Sequence, residues 1–323
     1  MIHAENLSRI FVHHHTSPGL LGSIQGLFSR TSEEFHAVDK ISFHIGEGEF
    51  VGYLGPNGAG KSTTIKMLTG ILVPSAGEVT VNGISPSRDR IRHSQQIGVV
   101  FGQRTQLWWD LPPRDAFDLL GKVYRVDRHE LKQKIDFFVE MLQLSSFLCL
   151  PVRKLSLGQR MRCELTAALL HQPRVLFLDE PTIGLDITAK EVIRSFLKYL
   201  NREKRTTILL TTHDLGDVEE LCKRVIVIDR GQIIHDSDLF TLRRHFGHRR
   251  LAMFDLEQES PIYLPAYAVE VKREGKRLWI EFDGDQLRMP DLISEISRQA
   301  SISDLSIQEI EIGRVIKQIY SRT

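Results

Sequence analysis

The chain has 323 residues, of which 41% are apolar, and its 42 Lys and Arg nearly cancel its 41 Asp and Glu to leave a net charge of +1. That is enough chain to bury one large core or two ordinary ones, and it excludes a disordered polyelectrolyte. It also excludes a global basic field that would hold nucleic acid or an anionic lipid surface, so no nucleic-acid partner is expected and binding must be local.

The apolar stretches, such as Val175 to Leu178 and Val225 to Ile228, fall far short of the roughly 20 residues that a membrane span needs. The N-terminal MIHAENLSRI lacks the charged-then-apolar order of a signal peptide, so a cytoplasmic location is expected. Cys149, Cys163 and Cys222 have no short spacing and stand in apolar contexts, which predicts three buried free thiols and neither a disulfide nor a zinc site.

Residues 16–34 are rich in Gly, Ser and polar side chains and read as an inserted surface loop, opened by His13-His14-His15 as a solvated turn. Its Gly-Leu-Leu-Gly and Gly-Leu-Phe pieces suit a short interfacial helix. From Val38 to about Arg230, strand-like runs alternate with helical ones. The strands are expected at Glu49 to Leu54, Gln96 to Phe101, Val175 to Leu178, Thr206 to Thr211 and Val225 to Asp229. Continuously apolar strands separated by helices indicate an α/β fold whose parallel sheet is covered on both faces.

Beyond about Phe240 the texture changes. Short strands are expected at Arg250 to Leu256, Ala268 to Val271 and Leu278 to Phe282, with a hairpin turn at Glu274-Gly275 and a helix from Pro290 to Gln299. A last strand and helix follow, with Ile312, Val315, Ile316 and Ile319 at helical spacing. This is a second, α+β domain over residues 243–323.

Gly55-Pro56-Asn57-Gly58-Ala59-Gly60-Lys61-Ser62 fits G-x-x-x-x-G-K-[ST], after a strand and before a helical run that continues through Thr63. The glycines let successive backbone N–H groups turn toward phosphate oxygens, the helix points its positive end at them, Lys61 reaches the terminal phosphates and the Ser62 hydroxyl can ligate Mg²⁺. A second motif, Arg174-Val-Leu-Phe-Leu-Asp179-Glu180, puts two acids at the tip of an apolar strand. Asp179 can hold Mg²⁺ through water, and Glu180 is placed to orient or deprotonate an attacking water.

With Leu155-Ser156-Leu157-Gly158-Gln159 about twenty residues before that acidic pair, the order of motifs resembles that of the ATP-binding subunit of an ABC transporter over residues 1 to about 240. The resemblance implies a P-loop ATPase domain over 1–240 with an inserted helical subdomain at about 104–165, and ATP and Mg²⁺ as its ligands. It assigns to Gln103, in Ile97-Gly-Val-Val-Phe-Gly102-Gln103, contact with Mg²⁺ and sensing of the membrane partner, with Gly102 as an extra residue. It assigns a switch role at the terminal phosphate to His213, a dimer-contact loop to Gly184-Leu185-Asp186, and adenine stacking to Phe11. Ser156, Leu157, Gly158 and Gln159 match the signature, which implies a head-to-tail homodimer that sandwiches two ATP molecules, each gripped by the phosphate loop of one subunit and the signature of the other. The family usually has Gly where this chain has Leu157; in helical φ its amide still donates and the side chain points away.

More narrowly, the long loop after Phe11, the string Phe101-Gly-Gln-Arg-Thr-Gln-Leu-Trp-Trp-Asp110 and the appended domain look like the subgroup that drives ABC-2 type drug or lipid exporters. That implies two integral membrane permease subunits as partners and a peripheral position on the inner face of the cell membrane. Trp108 and Trp109 then either border the permease groove or pack the helical subdomain. The competing reading is a soluble ABC ATPase acting on a ribosome or nucleic acid, whose members usually carry paired cassettes, zinc motifs or long coiled coils. A regulatory nucleotide-binding module is a third reading, against which Glu180 and His213 argue.

Overall fold

The computed structural model describes residues 1–14, 32–102, 104–246 and 249–309. The chain divides into two compact units, Met1–Asp236 and Ser237–Thr323.

The first unit is organised by a six-stranded sheet in the order β5-β6-β7-β3-β8-β9. Its strands are β3 (Phe50–Leu54), β5 (Ile97–Phe101), β6 (Val175–Asp179), β7 (Thr207–Thr211), β8 (Arg224–Asp229) and β9 (Gln232–Asp238). The pairs β5/β6, β6/β7, β7/β3 and β3/β8 are all parallel. Every residue of β3 and β7 is buried, as are the first four of β6, which is why these strands read as continuous apolar runs. The register sets Phe101 beside Asp179, Asp179 beside Thr211 and Tyr53 beside Thr211, so four adjacent strands end side by side.

A second, three-stranded antiparallel sheet, absent from the sequence reading, has the order β2-β1-β4 with β1 (Ile2–His14), β2 (Ser32–Ile45) and β4 (Ala76–Val81). Ile2, Leu7, Val38, Ile41, Ile45, Val79 and Val81 from it join Val51, Tyr53, Phe177, Leu209 and Ile226 of the parallel sheet in one buried cluster, together with Ile65, Met67 and Leu68 of α1 (Lys61–Leu68). The expected turn at His13-His14 is corrected: both residues continue β1, paired with Glu33 and Ser32 of β2, because the antiparallel ladder satisfies their backbone groups. His15 and the suggested interfacial helix lie outside the described residues.

After α2 (Arg90–Ser94) and β5 come the helices α3 (Pro113–Val123), α4 (Arg128–Met141) and α5 (Leu157–Leu169), then α6 (Ile187–Glu203) between β6 and β7 and α7 (Leu215–Leu221) between β7 and β8. Asp127 starts α4 by accepting from the His129 and Glu130 amides, which pulls its carboxyl below the usual range. Cys163 and Cys222 are buried as expected, and burial pushes the Cys163 thiol up to about 12. Cys149 is exposed, which corrects the third expectation. It sits in the turn Leu144–Leu150, whose inward positions go to Leu144 and to Phe147, the latter under the Arg162 guanidinium 5.0 Å from its ring, and which leaves Cys149 outside.

The second unit holds α8 (Leu239–Phe246) and a four-stranded sheet, β11-β12-β10-β13, whose neighbours are all antiparallel. Its strands are β10 (Arg249–Leu256), β11 (Ala268–Glu274), β12 (Arg277–Asp283) and β13 (Ile302–Glu309), and α9 (Met289–Ser297) precedes β13. Ala252, Phe254, Leu278, Ile280 and Phe282 alternate along their strands and pack with Leu292 and Ile296 of α9. Gly275, at φ 56°, makes the expected hairpin turn. Ile312, Val315, Ile316 and Ile319 lie outside the described residues.

Phe254 is fully buried, so Phe254→Ala is expected to destabilise the second unit by about 3–5 kcal/mol. Trp279 on β12 is the unit's tryptophan, and urea unfolding followed by its fluorescence in a Trp108→Phe/Trp109→Phe background measures the effect. An unchanged midpoint would contradict this core.

Candidate active site

The chain leaves β3 at Leu54 and turns through Gly55 to Gly60 into α1. Gly60, at φ 107°, lies so close to β2 that a Cβ would stand 2.4 Å from the Ala37 carbonyl oxygen, so neither the conformation nor the space admits a side chain. It also begins α1 without a side-chain cap, and the first turn holds no acidic residue, so the helix presents free N–H groups and its positive end at the loop. Lys61 is buried, and its Nζ donates to the carbonyls of Gly55 (2.7 Å) and Pro56 (3.0 Å). Burial lowers its pKa, and the charges of Glu180 and Asp179 oppose that shift. Ala59 is buried under the loop, Gly58 takes φ 83°, and Thr63 is half-buried on the first turn.

At the end of β6, Asp179 Oδ1 accepts from the Thr211 hydroxyl at 2.5 Å and from the Ser62 hydroxyl at 3.4 Å. These oxygens suit Mg²⁺, which takes one or two carboxylates and completes its shell with water and phosphate. Among the described residues no group of three or more His, Cys, Asp or Glu stands together as a metal site.

Glu180 follows at φ 56°, its amide donating to the Thr211 carbonyl at 3.0 Å. Its Oε1 lies 3.1 Å from Nδ1 of His213, whose side chain is 54% exposed. Gly102, noted in the sequence as an extra residue, has a steric reason: a Cβ there would stand 2.2 Å from the Glu180 carbonyl oxygen, while its amide donates to the Asp179 carbonyl at 2.7 Å. Asn57, Ser62, Phe101, Gly102, Asp179, Glu180 and His213 line a cleft of 570 Å³, together with Lys66, Arg104 and Ile183, which the sequence did not single out. A larger groove of 840 Å³ lies where Glu47, Arg174 and Thr206 precede their strands, at the opposite ends of those strands, and is lined by none of the residues proposed to bind or hydrolyse a nucleotide. Gln103 lies outside the described residues.

The other motif residues stand apart from this cleft's lining. Ser156 and Gln159 form a reciprocal cap on α5: the Gln159 amide donates to Ser156 Oγ, and the Ser156 amide donates to Gln159 Oε1. Leu157 is the first residue of α5, half-buried, with Cδ2 3.2 Å from where a Gly184 Cβ would stand. Gly158 faces α6 closely enough that a Cβ would meet Ala189 at 2.8 Å. Leu185 is buried, and Asp186 caps α6 by accepting from the Ala189 amide at 2.8 Å. Phe11 is half-buried, opposite Phe35 in the hairpin that abuts Gly60, with the Arg9 guanidinium 4.8 Å from its ring.

Sequence reasoning missed Glu164, a buried carboxylate in the middle of α5. It accepts from the Thr105 hydroxyl and from the Gln106 amide at 3.2 Å, and thereby fastens the segment after Gln103 to the helix that Ser156 begins. Burial raises its pKa, against those hydrogen bonds. An acid among Cys163, Leu165 and Ala167 was the available signal.

A phosphate loop leaving a central strand, with an acidic strand tip two strands away, defines a P-loop nucleoside triphosphatase cassette. The family model described as ABC transporter matches residues 38–183. The chain is 36% identical over 206 residues to the ABC transporter ATP-binding protein NatA of Bacillus subtilis, covering 64% of this chain and 83% of that one. It is 34% identical to the Nod factor export ATP-binding protein I of a Rhizobium species, over 78% of this chain and 83% of the relative. With the linearmycin resistance ATP-binding protein LnrL of Bacillus subtilis it shares 36% identity, over 61% of this chain and 63% of that relative's length. A solved ATP-binding cassette, MJ0796, captured as a dimer in a post-hydrolysis state with ADP and Pi, superposes with a TM-score of 0.62 at 27% identity, over 74% of this chain and 99% of that one. The chain belongs to the ATP-binding proteins of ABC transporters and is an ATP hydrolase of that family.

Gly102→Ala is expected to push Glu180 out of place, leaving nucleotide affinity within twofold while turnover falls about 10²-fold, the scale of an ångström-sized misplacement. ATP binding and steady-state hydrolysis, measured side by side, check it.

Proposed function

We propose that this chain is the ATP-hydrolysing subunit of an ABC-2 type exporter, in which two copies associate head-to-tail around two ATP molecules and drive separately encoded permease subunits. The approach of Glu180 to His213 beside the Lys61 loop carries this reading. ATP phosphates enter the loop, where the ammonium of Lys61 exchanges its two carbonyl partners for phosphate oxygens. Ser62, and Asp179 through water, would hold Mg²⁺, which would neutralise charge at the phosphates. Glu180 accepts the proton of the attacking water. His213, with Nδ1 toward Glu180, directs its Nε2 edge to the terminal phosphate, and Gln103 would contact Mg²⁺, as the family resemblance implies. Phe11 stacks on the adenine.

Ser156 to Gln159 stand outside the cleft lining, so the head-to-tail arrangement gives them a phosphate to bind on the partner, with Gly184 to Asp186 at the subunit contact. The dimeric state of the MJ0796 cassette supports this. Export is supported by relatives named for Nod factor export and linearmycin resistance. It is supported also by Trp108 and Trp109, which are 43% and 52% exposed and offer a permease an apolar grip. Backbone bonds from Val152 and Arg153 to Leu111 and Trp109 bring the exposed Leu150 end of its turn alongside, and the Arg160 guanidinium lies 5.5 Å over the Trp109 ring. The nucleotide-binding domain is assigned to 1–240, with its helical subdomain at about 104–165, and 243–323 is an accessory domain that holds or regulates the pair. Among the described residues no helix is long and apolar enough to cross a membrane, consistent with a peripheral subunit on the inner face of the cell membrane.

Lys61→Ala is expected to abolish productive ATP binding, because it removes the charge the phosphates face. Glu180→Gln is expected to retain ATP yet slow hydrolysis about 10²-fold or more and elute at twice the monomer mass with ATP. A Glu180→Gln chain that stays monomeric and hydrolyses ATP at the wild-type rate would overturn both the base and the sandwich. Co-isolation of the chain with two membrane subunits, lost on Trp108→Ala/Trp109→Ala, tests the docking surface.

A further inference from the structure

Helices α6 and α7 face each other through charges set at the spacing of their turns. Lys190, Arg194 and Lys198 stand four residues apart on α6, opposite Asp214, Asp217 and Glu220, three apart, at and along α7. Lys190 Nζ meets Asp214 Oδ2 at 2.5 Å, Arg194 Nε meets Asp217 Oδ1 at 2.6 Å, and Arg194 Nη1 and Lys198 Nζ meet Glu220 at 2.9 and 2.8 Å. The middle rung differs from the others: the Asp217 side chain is 0% exposed, whereas Asp214 and Glu220 are 31% and 39% exposed.

A carboxylate that deep is costly unless its oxygens are occupied. Besides two nitrogens of Arg194, Asp217 accepts from two hydroxyls, those of Thr182 and, at 3.4 Å, Thr212. Thr182 lies two residues after Glu180, and Thr212 immediately precedes His213. Thr212 Oγ1 in turn accepts from the Asp214 amide at 2.9 Å. One buried side chain therefore clips the loop that carries Glu180 to the loop that carries His213, and Arg194 ties the clip to α6, whose cap is Asp186. His213 is more than half exposed, so its place at 3.1 Å from Glu180 depends on how its loop is held.

We propose that Asp217 is a positioning residue for hydrolysis, which sets the Glu180 and His213 loops at the spacing where their side chains meet. This rests on the hydrolytic roles given above to Glu180 and His213. Neither Asp217 nor its partners Thr182, Thr212 and Arg194 line the cleft, so its loss changes the chemical step and leaves nucleotide binding at Lys61 intact.

The test compares full-length wild type, Glu180→Gln, Asp217→Asn and Thr182→Val, each assayed for kcat, KM for ATP and nucleotide affinity below its measured melting temperature. Asp217→Asn is expected to lower kcat about tenfold or more, the consequence of misplaced reacting groups, with KM and affinity within twofold. Thr182→Val, which keeps the Asp217–Arg194 pair and so the helix packing, is expected to lower kcat in the same way. The proposal is overturned if a folded Asp217→Asn chain turns over within twofold of wild type, or if kcat and KM change together with the melting temperature. Should Asp217→Asn fail to fold, Thr182→Val decides alone, and wild-type turnover in it overturns the clip. Wild-type turnover in Glu180→Gln would instead overturn the hydrolytic assignment.

Discussion

Hydrogen bonds that carry the parallel register past the strand ends set the geometry of the whole cleft. Within the sheet, the parallel ladders set Phe101 beside Asp179, Asp179 beside Thr211 and Tyr53 beside Thr211. Beyond it, the Gly102 amide on the Asp179 carbonyl and the Glu180 amide on the Thr211 carbonyl hold three loops at sheet spacing. Glu180 can then take its left-handed turn only because Gly102 leaves room for its carbonyl. Asp179 finds the Ser62 and Thr211 hydroxyls, and Lys61 the field of two carboxylates, as consequences of that one alignment.

What the sequence made legible is local. The phosphate loop, the apolar run into Asp179 and the central strands are each patterns within a dozen residues, and all appear where the pattern put them. The antiparallel sheet was not legible, because β4 meets β1 from about seventy residues away and its exposed start, Ala76 to Glu78, shows no alternation. His13 and His14 read as a turn because their polarity says nothing of a partner strand. Cys149 reads as apolar by neighbourhood, yet the turn it lies in gives its inward positions to Leu144 and Phe147. Gly102, Glu164 and Asp217 carry no motif at all; each matters through a backbone or hydroxyl far along the chain, a relation that a single sequence does not display.

Leu157 shows how a departure from a family pattern can be absorbed. It occupies a helical position at the start of α5, so its amide points as a glycine's would, and its side chain takes the space that Gly184 leaves empty. With Gly158 against Ala189, the proposed signature and the proposed subunit-contact loop are packed surface to surface within one chain. A push on either is a push on both, and Glu164 extends that continuity to the segment bearing Trp108 and Trp109.

The ladder between α6 and α7 grades from solvent to interior. Its outer carboxylates, Asp214 and Glu220, share their counter-charges with the surrounding water, while Asp217 does not. Mobile ions screen exposed pairs over a length of about 10 Å at 0.1 M and reach buried ones far less. Rising ionic strength therefore loosens the ladder at its ends and spares its centre. The two helices can breathe with the salt content of their surroundings while Glu180 and His213 keep their separation.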